Sequence, residues 1–340
     1  MYKQQIPGFD LLKFMLALLI VAIHTDFAVA VSVNNCLMRG GVIVNLQNLG
    51  VPGFFVISSF LFFRKCFAKG MGESNGIWLK FVKRLALVYL FYFILLSPVI
   101  VPNRGWFSMD FVSGISTFVM DLLLRYTYPG SWFLAALAVA TTLVYFLCKR
   151  LSLWLLLGIF FLLHLYISNV EKLPSNFQTF FWWYEEHIRE IGLSFPVALF
   201  WISLGACFAM PSVIEKLPAA KKLKLYLWGL FLLLFVADNL PFVSVHGILE
   251  AFMIICLIIL FYNMDFNPSP LYKRLREYSI LFFFWHFIVV YTFRTLYHGH
   301  HLEVWGVWFY PLTLLIVFAI ASTIMYLENK RYFKWLKYSH

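Results

Sequence analysis

One apolar run near the start of the chain carries three ionisable residues at helical spacing: Asp10, Lys13 and His24. Eleven positions separate Lys13 from His24, which is three turns of an α-helix and puts both on one face roughly 16 Å apart, with Asp10 close to the same line. An ionisable group inside an apolar helix is unfavourable unless it faces a cavity or a partner, so this stripe is a candidate site by its position alone. Imidazole ionises near neutrality, so it can take the proton of a sugar hydroxyl as a general base, and it can equally relay protons. A purely structural account also exists, with Asp10 and Lys13 as an i,i+3 pair at the interface and His24 as a core histidine with its hydrogen bond satisfied.

Other polar residues invite the same question. His286 follows Phe284 and Trp285 in an almost wholly aromatic run, where it either faces the cavity of His24 or bonds a neighbouring helix. Glu250 falls within an apolar run and needs a partner, through acceptor recognition or a structural pair. Trp132 can stack on a sugar or on adenine, although an interface anchor is the default for tryptophan at the end of a span. Ser58 and Ser59 are small enough to let helices pack closely. Glu185, Glu186, His187, Arg189 and Glu190, and later Asp238 and His246, gather near one membrane face. His298, His300 and His301 beside Gly299 have a metal-like look, but a solvated loop suits them better and no metal is expected.

The elements that must hold these residues are membrane helices. The 340-residue chain is 62% hydrophobic and 13% charged, too apolar for a water-soluble surface. At about 20 apolar residues per span, it is expected to be an all-α integral membrane protein, a single transmembrane domain over 1–340 with about ten spans. These lie near 9–31, 46–63, 82–101, 131–148, 152–170, 191–210, 225–240, 242–262, 278–297 and 307–327, and 9–31 reads as an uncleaved first span rather than a signal peptide. The half-apolar stretch 111–128, interrupted by Asp121 and Arg125, suits an interfacial or re-entrant helix. Pro98, Pro102, Pro129, Pro241 and Pro311 mostly mark ends.

Of the 27 Lys and Arg, only Arg39, Arg104, Arg125, Lys172, Arg189 and Arg294 fall on one side of this layout. The positive-inside rule then predicts an even number of spans with both termini cytoplasmic. The net charge of +11 is spread in short clusters between spans, which argues against a nucleic-acid partner. Five cysteines lie far apart, so neither a disulfide framework nor a metal motif is expected. No Gly-rich phosphate loop appears, and no internal repeat of the kind found in many transporters.

In four patches the chain resembles the membrane acyltransferase-3 proteins, which acylate cell-surface glycans. Phe9-Asp10-Leu11-Leu12-Lys13 with His24 is similar to that family's basic residue, ten-residue gap and histidine. Val51 to Leu61 is similar to its "FFVISGFL" span, Ser131-Trp132-Phe133-Leu134 to a tryptophan at an outer helix end, and Phe284-Trp285-His286 to its "YLLH". The departures are Lys13 where the family usually carries arginine, Ser59 in place of its glycine, and Lys80, Lys83 and Arg84 in place of a clean Arg-x-x-Arg.

The resemblance implies an O-acyltransferase of a bacterial inner membrane. Acyl-CoA, acetyl-CoA in the simplest case, would be a co-substrate with no permanently bound cofactor, and the acceptor would be a cell-surface or lipid-linked glycan. His24 would be catalytic. Lys13, Lys80, Lys83 and Arg84 would meet the phosphates of the donor, unless they serve only as positive-inside charge. Asp10, Ser58, Trp132, His286 and Glu250 would support the site. Another reading is a transporter or flippase using the His24 track as a permeation path; a third, a membrane sensor or uptake component, ranks last.

Overall fold

A computed structural model describes residues 5–33, 40–188, 190–240, 246–267, 269–296 and 306–340. Cys36, Arg39, Arg189, Pro241, His298, Gly299, His300 and His301, and the side chain of His246, lie outside the described residues. Among the described residues there are helices and no strands. In chain order these are α1 Pro7–His24, α2 Phe27–Val33, α3 Gly40–Asn48, α4 Gly50–Lys69, α5 Asn75–Arg104, α6 Phe111–Leu123, α7 Ser131–Leu147 and α8 Leu153–Asn169. They continue with α9 Ser175–His187, α10 Phe195–Phe208, α11 Pro211–Ile214, α12 Lys224–Asp238, α13 His246–Tyr262, α14 Pro270–Leu296 and α15 Phe309–Leu327.

Among the described residues, six stretches are long and apolar enough to cross a membrane: Pro7–His24, Val42–Lys69, Asn75–Pro102, Leu153–Lys172, Pro270–Leu296 and Gly306–Leu327. A seventh forms if Phe195–Phe208 and Pro211–Asp238, bent by 67°, make one span. The helices Phe111–Leu123, Ser131–Leu147 and Gly247–Tyr262 are apolar but shorter. This is a multi-pass membrane protein. Its apolar side chains remain exposed along whole helix faces, as at Leu90, Ile94 and Val99 of α5 and Leu232, Leu233 and Val236 of α12, where acyl chains rather than water would meet them.

Two compact units divide the chain, Met1–Phe54 with Lys216–His340, and Phe55–Glu215. In the first, α1 is central and packs on α14, α3, α13, α2 and α15. Its residues Phe9, Leu12, Leu16, Ala17, Ile20 and Val21 are buried, one apolar residue per turn or better on the inner face. Gly8 brings backbone against backbone, since a Cβ there would stand 1.8 Å from the Phe261 carbonyl oxygen of α13. Gly50 and Gly53 similarly let the start of α4 lie on Leu16 and Ile20.

In the second unit α10 is central, packed on α7 and α8. Every residue from Ala198 to Cys207 is buried. Small residues make this possible: a Cβ on Gly205 would lie 2.3 Å from the Val56 carbonyl oxygen of α4. Beside it Ser59 Oγ donates to the Ile202 carbonyl at 2.5 Å. The serine that replaces the expected glycine therefore ties α4 to α10.

Several expected boundaries change. The first span ends at His24 instead of running to 31, because Thr25 Oγ turns back to donate to the Val21 carbonyl at 3.0 Å and Asp26 takes a left-handed φ of 50°. Aspartate tolerates that region better than most residues. Pro98 and Pro102 lie inside α5 rather than at its end. Proline cannot donate to the carbonyl four residues back, and the Ser97 hydroxyl supplies that donor by bonding Ile94 O at 2.8 Å. The stretch near 111–128 forms α6, capped by the exposed Asp110 carboxylate, which accepts from the Ser113 amide; the Ser113 bonds hold that carboxyl below the usual carboxylate range. Asp121 on α6 is buried, accepts from Trp106 Nε1 at 3.0 Å and pairs with Arg125. The helix α9, with exposed Phe177, Phe180, Trp182 and Trp183, was not foreseen.

Gly205→Ala is expected to lower stability by about 1–3 kcal/mol, the usual cost of overpacking. The neighbouring Gly192→Ala, where a Cβ meets nothing within 4 Å, should leave it within about 0.5 kcal/mol. Thermal unfolding of both variants in one detergent is the comparison.

Candidate functional site

The polar stripe of the first span lies against α14 along its whole length. Asp10 meets Arg276 at 4.0 Å, the Phe14 ring meets that of Phe282 at 5.6 Å, His24 meets His286, and Asp26 meets Arg294 at 3.2 Å. Both helices therefore run in the same direction, with an ion pair near each end and the histidines between them. Parallel helices place like dipole ends together. Asp10 at the amino end of α1 and Arg294 at the carboxyl end of α14 each offset the dipole of their own helix.

Asp10 is buried, whereas Lys13 is half-buried. The Asp10 carboxylate accepts from Gln5 Nε2 at 2.9 Å besides facing Arg276. At the far end, Arg294 Nη2 also donates to the His24 carbonyl at 3.4 Å. This fixes the last turn of α1 and, with it, the backbone of the histidine.

The His24 and His286 rings lie 5.2 Å apart at 32°. Phe287 touches both, at 4.4 Å from His24 and 4.1 Å from His286. His24 is half-buried, while His286 is 0% exposed. His286 Nδ1 lies 2.7 Å from the Phe282 carbonyl oxygen. A carbonyl can only accept, so Nδ1 carries a proton and Nε2 of the neutral ring is left as a bare acceptor. That Nε2 is buried and has no hydrogen-bond partner.

Of the other residues singled out from the sequence, Glu250 belongs to the same unit on α13. Among the described residues, the acidic group that acts on it is Asp238 of α12. Asn45 of α3 donates to the Asp238 carbonyl at 3.1 Å. Ser58, Trp132, Lys80, Lys83 and Arg84 belong to the second unit. The last three are exposed and share one face of the first turns of α5 through i,i+3 and i,i+4 spacing. Trp132 is half-buried, edge-on to Phe55 at 6.4 Å.

Three participants escaped the sequence. Arg276 and Arg294 read only as topological charge, and Asp26 as part of a continuous span. The buried Asp10 was the one available signal, since a carboxylate in that position calls for a cation from another helix.

A family model described as an acyltransferase domain matches residues 6–327. The chain belongs to the acyltransferase-3 family. The match takes in both units and every site residue named above. The chain is also 27% identical over 150 residues to an amino-acid racemase of Enterococcus faecalis, covering 44% of this chain and 19% of that protein. It thus spans under a fifth of the length of that relative. No solved structure matches.

The two ion pairs are expected to differ in worth. Arg276→Met leaves the buried Asp10 carboxylate with the Gln5 amide as hydrogen-bond donor and Lys13 as the remaining nearby cation, and should cost roughly 1–3 kcal/mol. Arg294→Met removes a half-exposed pair and should cost about 0.2–1 kcal/mol. Unfolding midpoints of the purified variants at low and high salt would check both, with only the second expected to fade into the wild-type value at high salt.

Proposed function

We propose that this protein is a membrane O-acyltransferase that moves an acyl group from acyl-CoA, acetyl-CoA in the simplest case, to a hydroxyl of a cell-surface or lipid-linked glycan. The membrane would be the bacterial cytoplasmic one, crossed about ten times with both ends inside. Family membership over nearly the whole chain supports acyl transfer as the class of chemistry. The observation that carries the site is the half-buried imidazole of His24 at the end of an ion-paired helix, beside a second imidazole that is fully enclosed.

In this reading His24 removes the proton of the acceptor hydroxyl as its oxygen attacks the thioester carbonyl. A C–O bond forms and the C–S bond breaks. The proton passes to the departing thiolate, leaving the ester, free thiol and neutral imidazole. Lys13 on α1 is a cation that would meet donor phosphates in its own unit, and the Lys80, Lys83 and Arg84 face of α5 is a second cationic surface, on the other unit, suited to the same chemistry.

His24→Ala is expected to abolish release of free CoA from labelled acetyl-CoA in the presence of acceptor, with protein abundance unchanged. The O-linked ester should disappear from surface glycan in cells carrying that variant. Full acylation by His24→Ala would remove the catalytic role. Wild-type protein that moves glycan without releasing CoA would favour a transporter.

A further inference from the structure

We infer that His286 is a positioning residue for His24: its Nε2, unbonded in this structure, accepts a hydrogen bond from the His24 imidazole once the acceptor hydroxyl is bound, which leaves the other His24 nitrogen unprotonated and directed at that hydroxyl. This rests on the acyl-transfer reading above and adds a second histidine to it. Three observations lead there. The Nδ1 contact with the Phe282 carbonyl fixes the tautomer of His286, so its remaining nitrogen can receive a hydrogen bond but not give one while the ring is neutral. That nitrogen is buried and unpartnered, a condition that proteins rarely leave unused. The ring spacing of 5.2 Å is close to the roughly 5 Å between centres that a nitrogen-to-nitrogen bond of two imidazoles requires.

Exposure separates the two roles. A fully enclosed His286 cannot reach a substrate, whereas a half-buried His24 can. During transfer, His24 gains the hydroxyl proton and becomes imidazolium; its other N–H then donates more strongly to His286 Nε2, which holds the positive charge until the proton moves to the thiolate. No proton is transferred to His286; the proton passes from the hydroxyl to His24 and from His24 to the thiolate.

Among the described residues, the charged and titratable groups near the pair include Asp26 at the end of α1, Arg294 on α14 and Tyr310 on α15, whose hydroxyl donates to the Leu18 carbonyl at 3.3 Å. The helix α15 carries a competing donor. Thr313 of α15 has a buried hydroxyl without a hydrogen-bond partner. The antiparallel contacts Tyr278 to Ser322 and Phe293 to Phe309 bring it close to the level of His286.

The test compares His286→Gln, which keeps an acceptor oxygen, with His286→Phe, which keeps the ring and loses the acceptor, using labelled acetyl-CoA and acceptor glycan with purified full-length protein. His286→Phe is expected to lower kcat about 100-fold at unchanged donor KM, and His286→Gln to stay within about tenfold of wild type. Equal activity of His286→Phe and wild type, or an equal loss in both variants, would overturn the inference. Thr313→Val is expected to be as active as wild type, and a loss matching His286→Phe would hand the acceptor bond to the threonine and overturn it too. Nitrogen NMR of histidine-labelled wild type gives a reading that needs no turnover. With acceptor glycan bound and no donor, a hydrogen-bonded pair of ring nitrogens joining two histidines supports the inference, and two histidines with no such bond contradict it. Failure of the acyl-transfer reading itself would look different, with no CoA released by wild type or with full activity in His24→Ala.

Discussion

Few polar groups enter the apolar interior of this protein, and each one that does must find its partner inside the protein, because the hydrocarbon around it offers none. The pairing of α1 with α14 follows from that constraint. Asp10 is buried and can remain ionised only opposite a cation, and Arg276 is the residue that α14 presents there. A second ion pair at the other end sets the register of the two helices over their common length. Between those pins the aromatic contacts fall into place, and two histidines 262 positions apart in the sequence become neighbours in space.

The same constraint shapes the unit built around α10. An interior proline in α5 strips one carbonyl of its donor, and a serine one position earlier supplies it. A serine replaces the expected glycine in α4 and turns its hydroxyl onto a carbonyl of α10. Asp121 is buried yet holds both an indole N–H and an arginine. In each of these three cases the polar atom and its partner arrive together, which offsets the cost of burying it.

Much of this could be read from the sequence. Long apolar runs bounded by charge located most helices, since burial in lipid needs nothing subtler than length and hydropathy. Helix spacing put Asp10, Lys13 and His24 on one face. What the sequence hid was long-range. Nothing local says that Arg276 faces Asp10, because 266 positions separate them and a basic residue at a span end is ordinary. The break at Thr25 and Asp26 was equally silent, as neither residue stops a helix by type. The helix α9 was missed because its aromatic and polar residues alternate without a clean apolar face. The tautomer of His286 depends on a carbonyl one turn away and is a property of coordinates alone.

Gly8 has no room for even a methyl group, since its α-carbon rests on the carbonyl of Phe261. One end of α1 is thereby seated on α13, and the contacts of Arg294 with Asp26 and the His24 carbonyl seat the other, about 24 Å away. The imidazole of His24 therefore rides on a backbone anchored by one helix at its start and by another at its tip.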